Sequence, residues 1–198
     1  VLEINLHSVI LLVGPTNCGK TTFVQNKLIP AIKDNDPNNL INIGYLSSDV
    51  VRQELLGKQL SKYDERMTQV SSVAFEKLYS DLEYYLKFPV KKEIVIVDTT
   101  GLSEDFRNKV FQICDKHNYL LDIIMFEYKN KDNYFLYEPE DKNITKIIWG
   151  HLKKMKNFYS CKKNYKKLQK ITKHSSEHDC NIIINNYELY TKCNDNVN

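Results

Sequence analysis

An uninterrupted apolar run, Val9 to Val13, ends directly at Gly14. Runs of this kind are typical of strands that are buried on both faces, as in parallel sheets. Residues 14–21 then follow the pattern Gly-x-x-x-x-Gly-Lys-Thr, and apolar residues recur at helical spacing as far as Ile32. A buried strand, a glycine-bearing loop and a helix in this order predict a loop that wraps phosphate groups.

Further apolar runs alternate with helical patterns along the rest of the chain. The predicted strands lie within Leu40–Leu46, Glu93–Asp98, Leu121–Phe126 and Asn181–Asn185, and the clearest helical patterns cover Met67–Leu86, 103–117 and the stretch after Asn143. Such alternation indicates a parallel sheet with helices on both faces. We therefore predict an α/β protein with the P-loop NTPase fold: a parallel sheet of about five strands flanked by helices, with a helical lid near residues 129–150. The 198 residues are expected to form a single P-loop kinase domain.

The loop carries the donor chemistry. Backbone N–H groups of the loop and of the following helix offer hydrogen bonds to phosphate oxygens. Lys20 is expected to reach the β- and γ-phosphates of ATP or another nucleoside triphosphate, and the Thr21 hydroxyl is expected to bind Mg²⁺. The predicted nucleotide-binding residues of the loop are Gly14, Pro15, Thr16, Asn17, Cys18, Gly19, Lys20, Thr21 and Thr22.

Two other strand ends carry carboxylates. Asp98 closes the third apolar run, where a carboxylate can lie beside the bound metal ion. The alternative is an aspartate that caps the turn at 99–101. Asp49 follows the second run, and Arg52 lies one helical turn later on the same face. This pair can accept a proton and hold an acceptor phosphate, or it can be an N-cap aspartate with an i,i+3 ion pair.

Much of the chain, from residue 2 to about residue 157, resembles the 5′-OH polynucleotide kinases, most closely the kinase module of bacterial kinase-phosphatase RNA-repair enzymes. The matching features are Leu2-Glu3-Ile4, the loop from Gly14 to Thr22, Leu46-Ser47-Ser48-Asp49 with Arg52, Val73-Ala74-Phe75-Glu76 with Leu78, and Val97-Asp98-Thr99-Thr100. The resemblance implies that Asp49 is the general base on the 5′-OH and that Arg52 contacts a phosphate of the acceptor. It also implies a 5′-OH end of RNA or DNA as the acceptor, a role in nucleic-acid repair, and a repair ligase or phosphatase as a candidate partner.

The chain departs from that family in two places. Thr100 stands where the family has asparagine, and no arginine follows Arg107, although the family clamps the donor phosphates with lid arginines. Lys129 and Lys131 lie in the corresponding stretch and are our candidates for that role. Lysine is a point charge and does not reproduce the arginine fork, so the donor clamp is expected to have a different geometry.

Positive charge is concentrated near the C-terminal part of the sequence. Residues 151–173 contain nine lysines and no acidic residue, with aromatic residues interleaved. This segment suits a nucleic-acid backbone with stacked bases, or it is a solvated lysine face. The odd number of cysteines, without metal-ligand spacing, and the lack of a long apolar run favour a cytoplasmic protein without a membrane segment.

Three other functions compete with the polynucleotide kinase. A small-molecule or toxin-like P-loop kinase can also use a strand-end aspartate such as Asp49. A GTPase-type switch would account for the D-x-x-G pattern from Asp98 to Gly101, but its guanine-reading motif requires an aspartate where Asn133 stands. An inactive nucleotide-binding domain would account for the missing lid arginines.

Overall fold

Among the residues that the structure describes, every strand runs parallel to the strands it pairs with. The computed structural model describes residues 2–61, 63–88, 90, 92–136, 142–160, 168–173 and 182–185. The strands are β1 Leu2–Asn5, β2 Ser8–Val13, β3 Asn42–Ser47, β4 Glu93–Asp98, β5 Leu120–Tyr128, β6 Leu168–Lys173 and β7 Ile182–Asn185. Five of them form one sheet in the order β3-β4-β2-β5-β6, and β1 pairs with β7 in a separate two-stranded sheet. The predicted fold class is confirmed.

Helices connect these strands. They are α1 Lys20–Phe23, a π-helical segment Val24–Leu28, α2 Ile29–Asp34, α3 Ser48–Leu56, α4 Glu65–Gln69, α5 Ser71–Lys87, α6 Glu104–Lys116, a 3₁₀ helix Lys131–Phe135 and α7 Lys142–Ser160. Local chemistry sets several of their ends. The Ser103 hydroxyl accepts a hydrogen bond from the Phe106 amide at the start of α6, and Gly57 ends α3 with a left-handed φ of 63°.

The core has two layers, one on each face of the main sheet. Val9, Leu11 and Val13 of β2 pack with α5 and α6, whereas Ile10 and Leu12 pack with the helices that follow the loop and with α7. Adjacent strand residues point to opposite faces, so a strand covered on both sides must be apolar throughout. This requirement explains the unbroken apolar run from which the sequence analysis began.

The fifth strand of the main sheet is not the one that the sequence predicted. Asn181–Asn185 does form a strand, β7, but it pairs with β1 outside the main sheet. The edge position beside β5 is taken by β6, which lies inside the lysine-rich segment 151–173. The sequence of β6, Leu-Gln-Lys-Ile-Thr-Lys, has only two apolar residues, three positions apart, and it lacks the continuous run of an inner strand. The basic segment therefore consists partly of sheet.

Two predicted helices are also interrupted. The stretch Met67–Leu86 contains the end of α4 and most of α5, because Val70 leaves helical geometry at φ −91° and ψ 6°. The helix after Lys20 passes through the π-helical segment. Neither break disturbs the apolar face, so the spacing of apolar residues gave no sign of them.

The topology brings the predicted site residues to one edge of the sheet. β4 lies between β3 and β2, so the carboxyl ends of these three strands are adjacent. β2 and β5 are neighbours in the sheet, but their connections run in opposite directions. The chain passes from β2 to β3 at one edge of the sheet and from β5 to β6 at the other edge. Ligands in such sheets bind where the connections diverge. None of the helices in the described segments is long and apolar enough to cross a membrane.

Candidate active site

The phosphate-binding loop joins β2 to α1 and is held tightly against the sheet. The Gly14 amide donates to the Thr100 carbonyl at 2.9 Å. A Cβ atom on Gly14 would lie 2.8 Å from the Phe126 carbonyl oxygen and 2.9 Å from the Cys18 sulfur, which explains the glycine. Further along the loop, Gly19 adopts a left-handed φ of 77°.

Lys20 begins α1, and its side chain turns back into the loop. Its Nζ donates to the carbonyl oxygens of Gly14 at 2.9 Å and Pro15 at 2.7 Å. Only 8% of the residue is exposed. The ammonium group thus lies inside the loop, where it can exchange these carbonyl partners for phosphate oxygens.

Thr21 and Asp98 meet beside the loop, as the sequence predicted for a metal site. Thr21 Oγ1 donates to Asp98 Oδ2 at 2.6 Å. The Tyr45 hydroxyl donates to the same oxygen at 2.6 Å. Burial and the neighbouring Asp98 carboxylate raise the pKa of Tyr45, which therefore remains a hydrogen-bond donor.

The Thr21 hydroxyl and the Asp98 carboxylate are hard oxygen ligands of the kind that Mg²⁺ takes together with substrate phosphates. They fit the predicted metal site. Oδ2 of Asp98 accepts hydrogen bonds from Thr21 and from Tyr45 of β3, and its role as a metal ligand stays a prediction.

Asp49 and Arg52 form an ion pair in α3. Arg52 NH1 lies 2.7 Å from Asp49 Oδ1. The guanidinium also donates from Nε to Ser71 Oγ at 3.2 Å, and it lies 5.4 Å from the ring centre of Phe75. The Asp49 side chain is 50% exposed and that of Arg52 only 16%. Asp49 is in the first turn of α3, while Ser47 is the N-cap residue, so Asp49 is not the helix cap.

Lys20 and the two pairs described above, Thr21–Asp98 and Asp49–Arg52, face one cleft of about 330 Å³. It brings together the loop, the Thr21–Asp98 pair and the Asp49–Arg52 pair. Of the predicted site residues, Gly14, Pro15 and Cys18 support the loop without lining the cleft. The lining consists of Thr16, Asn17, Gly19, Lys20, Thr21, Thr22, Ser48, Asp49, Arg52, Asp98, Thr99, Thr100 and Tyr128.

The predicted donor clamp does not reach the cleft in this structure. Lys129 follows β5 and Lys131 begins the 3₁₀ helix, and both are exposed and absent from the cleft lining. The residue at the end of β5 that does line it is Tyr128, whose hydroxyl donates to the Asn17 carbonyl at 3.3 Å. The role of the two lysines stays a prediction.

A histidine of α7 also contacts the loop, and the sequence gave no indication of it. His151 Nδ1 accepts a hydrogen bond from the Thr16 amide at 3.1 Å. Burial, with the nearby charges of Lys20 and Lys154, lowers the pKa of His151 to about 4. The imidazole is therefore neutral at physiological pH. Asn17 of the same loop has another distant partner: its Oδ1 accepts a hydrogen bond from the Tyr63 hydroxyl at 2.7 Å.

Three solved structures illustrate how widely this fold occurs. A candidate kinase from Chloroflexus aurantiacus J-10-fl matches with 15% identity and a TM-score of 0.55, over 83% of this chain and 87% of its own. Chaetomium thermophilum Kti12 in complex with ADP-AlF₃ matches with 13% identity and a TM-score of 0.57, over 84% of this chain and 89% of its own. The PezAT toxin–antitoxin system of Streptococcus pneumoniae matches with 17% identity and a TM-score of 0.50, over 87% of this chain and 69% of its own.

Such low identities show a shared fold and no more. No curated protein sequence matches the chain. The model of the AAA domain family (AAA_33) matches residues 9–132, from β2 to the start of the lid region. Since this match spans more than half of the 198 residues, the chain belongs to the AAA domain family and has the P-loop NTPase fold.

Proposed function

We propose that this chain is a phosphotransferase that moves the γ-phosphate of ATP, or of another nucleoside triphosphate, onto a 5′-hydroxyl end of RNA or DNA. The observation that carries the proposal is the single cleft that Lys20, the Thr21–Asp98 pair and Asp49 share. A donor site, a site for a metal ion and a carboxylate that the acceptor can reach are the parts that phosphoryl transfer to a hydroxyl requires.

On the donor side, Lys20 and the loop hold the phosphates. Lys20 supplies positive charge to the oxygens on which negative charge develops during transfer. Thr21 and Asp98 would hold Mg²⁺, which neutralises phosphate charge when bound. Lys129 and Lys131 are proposed to approach the donor phosphates when the lid closes. Kti12, which shares the fold, was solved with ADP-AlF₃, and this agrees with nucleotide binding at the same loop.

On the acceptor side, Asp49 would take the proton from the attacking hydroxyl. Its half-exposed carboxylate is open to the cleft, unlike the buried Asp98. Arg52 uses NH1 for Asp49 and Nε for Ser71, and its NH2 group makes no bond within the described residues. That group can donate to an acceptor phosphate beside the 5′-hydroxyl.

The nucleic-acid acceptor is supported by the resemblance of the segment from Ser47 to Arg52 to the polynucleotide kinases. The lysine-rich segment 151–173 is proposed to contact the acceptor backbone, and a repair ligase or phosphatase is the proposed partner. A small-molecule kinase is the second candidate. It is favoured by the modest size of the cleft, since about 330 Å³ is at the lower end of the range for ligand pockets.

Label transfer tests the proposal directly. The protein is incubated with γ-labelled ATP, Mg²⁺ and a 5′-OH oligonucleotide, and in parallel with nucleosides and sugars. Asp49→Asn is expected to lower transfer by about 10²–10⁴-fold, the usual contribution of a general base. Asp64→Asn is the matched control, because Asp64 forms a surface pair with Arg66 at 2.7 Å outside the cleft.

Absence of transfer to any oligonucleotide, with transfer to a small hydroxyl compound, would replace the first proposal by the second. Full activity in Asp49→Asn would remove Asp49 as the base. Lys20→Met is expected to abolish transfer to every acceptor, since it removes the cation of the loop.

A further inference from the structure

A second depression lies between α5 and α6, next to the cleft. Its volume is about 370 Å³. Three aromatic side chains, Phe75 and Tyr79 from α5 and Phe106 from α6, form one part of it, and two carboxylates, Glu76 and Asp105, form another. We call it the α5–α6 depression.

The three rings form a continuous apolar wall. The centre of the Phe106 ring lies 5.2 Å from that of Phe75 and 5.6 Å from that of Tyr79. Phe106 is buried, whereas Phe75 and Tyr79 are half-buried and face the depression. Aromatic surfaces of this kind stack well on the planar rings of nucleobases.

The two carboxylates give the depression its polarity. Glu76 and Asp105 are exposed and form no hydrogen bond or ion pair within the described part of the chain. Burial raises the pKa of Tyr79, and the charges of Glu76 and Asp105 raise it further, which shows that both carboxylates lie near this ring. One cation of α6 is close by, since Lys109 Nζ lies 6.0 Å from the centre of the Tyr79 ring.

A ligand that suits this depression is a planar ring bearing N–H donors. An ionised carboxylate only accepts hydrogen bonds. Adenine, cytosine and guanine carry amino groups, whereas uracil presents a carbonyl oxygen in the place of the cytosine amine. The one N–H on that edge of uracil stands between two carbonyl oxygens, which a carboxylate repels. The carboxylates would repel a phosphate backbone, so the depression suits one base rather than a length of chain.

The α5–α6 depression is joined to the cleft in two ways. Thr99 and Thr100 line both of them. Arg52, which lines the cleft, lies against the Phe75 ring of the depression. A nucleotide whose 5′-hydroxyl is at Asp49 and whose 3′-phosphate is at Arg52 can therefore place its base on this side of the cleft.

We propose that the α5–α6 depression binds the terminal base of the acceptor, which stacks on the aromatic wall and donates from its amino group to Glu76 or Asp105. The enzyme then prefers an acceptor that begins with adenine, cytosine or guanine over one that begins with uracil. This inference rests on the proposed function, since it takes the 5′-hydroxyl of a nucleotide as the reacting group.

Equilibrium dialysis of the full chain with labelled adenosine 3′-phosphate and labelled uridine 3′-phosphate tests the base site without requiring turnover. The adenine compound is expected to bind about tenfold more tightly, the lower end for a hydrogen bond to a charged group. The double variant Glu76→Gln, Asp105→Asn is expected to bind the two compounds equally. Glu104→Gln is the control, because Glu104 is an exposed carboxylate of α6 that does not line the depression.

Label transfer to two trinucleotides that differ only in the first base, adenine or uracil, gives the second readout. Equal binding of the two nucleotides by the native chain, or a preference that the double variant retains, overturns the inference. A base preference in dialysis without transfer to any oligonucleotide leaves the base site standing and overturns the proposed function. Urea unfolding of the variants ensures that equal binding does not come from a misfolded protein.

Discussion

Replacing His151 by asparagine removes a titrating group from α7 while it keeps a hydrogen-bond acceptor near the Thr16 amide. In the folded protein the pKa of His151 is about 4, against an ordinary value of 6.5. Because its pKa is lower in the folded protein, folding favours the neutral form of the His151 imidazole. Stability from this group is complete above pH 6.5, and it is lost as the pH falls toward 4.

The size of the effect follows from the two pKa values. Each pKa unit corresponds to about 1.4 kcal/mol, so the complete loss is about 3 kcal/mol. Between pH 7.5 and pH 5.0, the linkage relation gives about 2 kcal/mol of that loss. We expect His151→Asn to be less sensitive to this pH change than the native chain by that amount.

Urea unfolding at the two pH values measures the difference. Carboxylates and the other histidines titrate in both proteins, so their contributions cancel in the comparison. His151→Ala is the companion variant: it loses the same pH sensitivity, and at pH 7.5 it is also destabilised by about 1–3 kcal/mol because the Thr16 amide loses its acceptor. If His151→Asn retains the native loss of stability at pH 5.0, the imidazole is not held neutral against the loop and the reasoning fails.

Three further predictions concern the loop and the two carboxylates. Gly14→Ala should lower the free energy of unfolding in urea by about 1–3 kcal/mol and weaken ADP binding, because its Cβ meets the Phe126 carbonyl at 2.8 Å. Tyr45→Phe should cost about 1–2 kcal/mol of stability, measured in the same way, since Asp98 loses a charge-assisted donor. Arg52→Lys should raise the KM for the acceptor about tenfold in steady-state kinetics and leave the KM for ATP unchanged, because lysine lacks the two-pronged guanidinium group of arginine. An equal change in both KM values would place Arg52 outside the acceptor site.

The sequence predicted the inner strands of the main sheet, but it did not predict the edge strand β6 or the partner of β7. β2, β4 and β5 are covered on both faces along their central residues, which form an apolar run of four or five residues in each strand. β6 at the edge has no such run, and β7 has one but pairs elsewhere. Pairing partners depend on the path of the whole chain, which local periodicity does not contain.

Some residues of the candidate site were likewise predicted from the sequence, and others were not. Thr21 and Asp98 were predicted to share a metal ion, because one belongs to the loop motif and the other ends a buried strand, and the structure joins them by a hydrogen bond. Tyr45 and His151 were missed, since nothing in the residues around them indicates a partner. His151 is 135 residues from Thr16 in sequence, and only the packing of α7 against the loop brings it there.

The small sheet of β1 and β7 has a consequence for how the protein is made. Leu2 pairs with Ile182, so β1 emerges from the ribosome long before its partner exists. At roughly 5–20 residues per second, the intervening chain takes about 10–40 s to synthesise. During that time Leu2 and Ile4, which are buried in the folded protein, lack one of the segments that cover them. A released chain that is truncated before residue 182 should therefore be a better substrate for chaperones and proteases than one that contains β7.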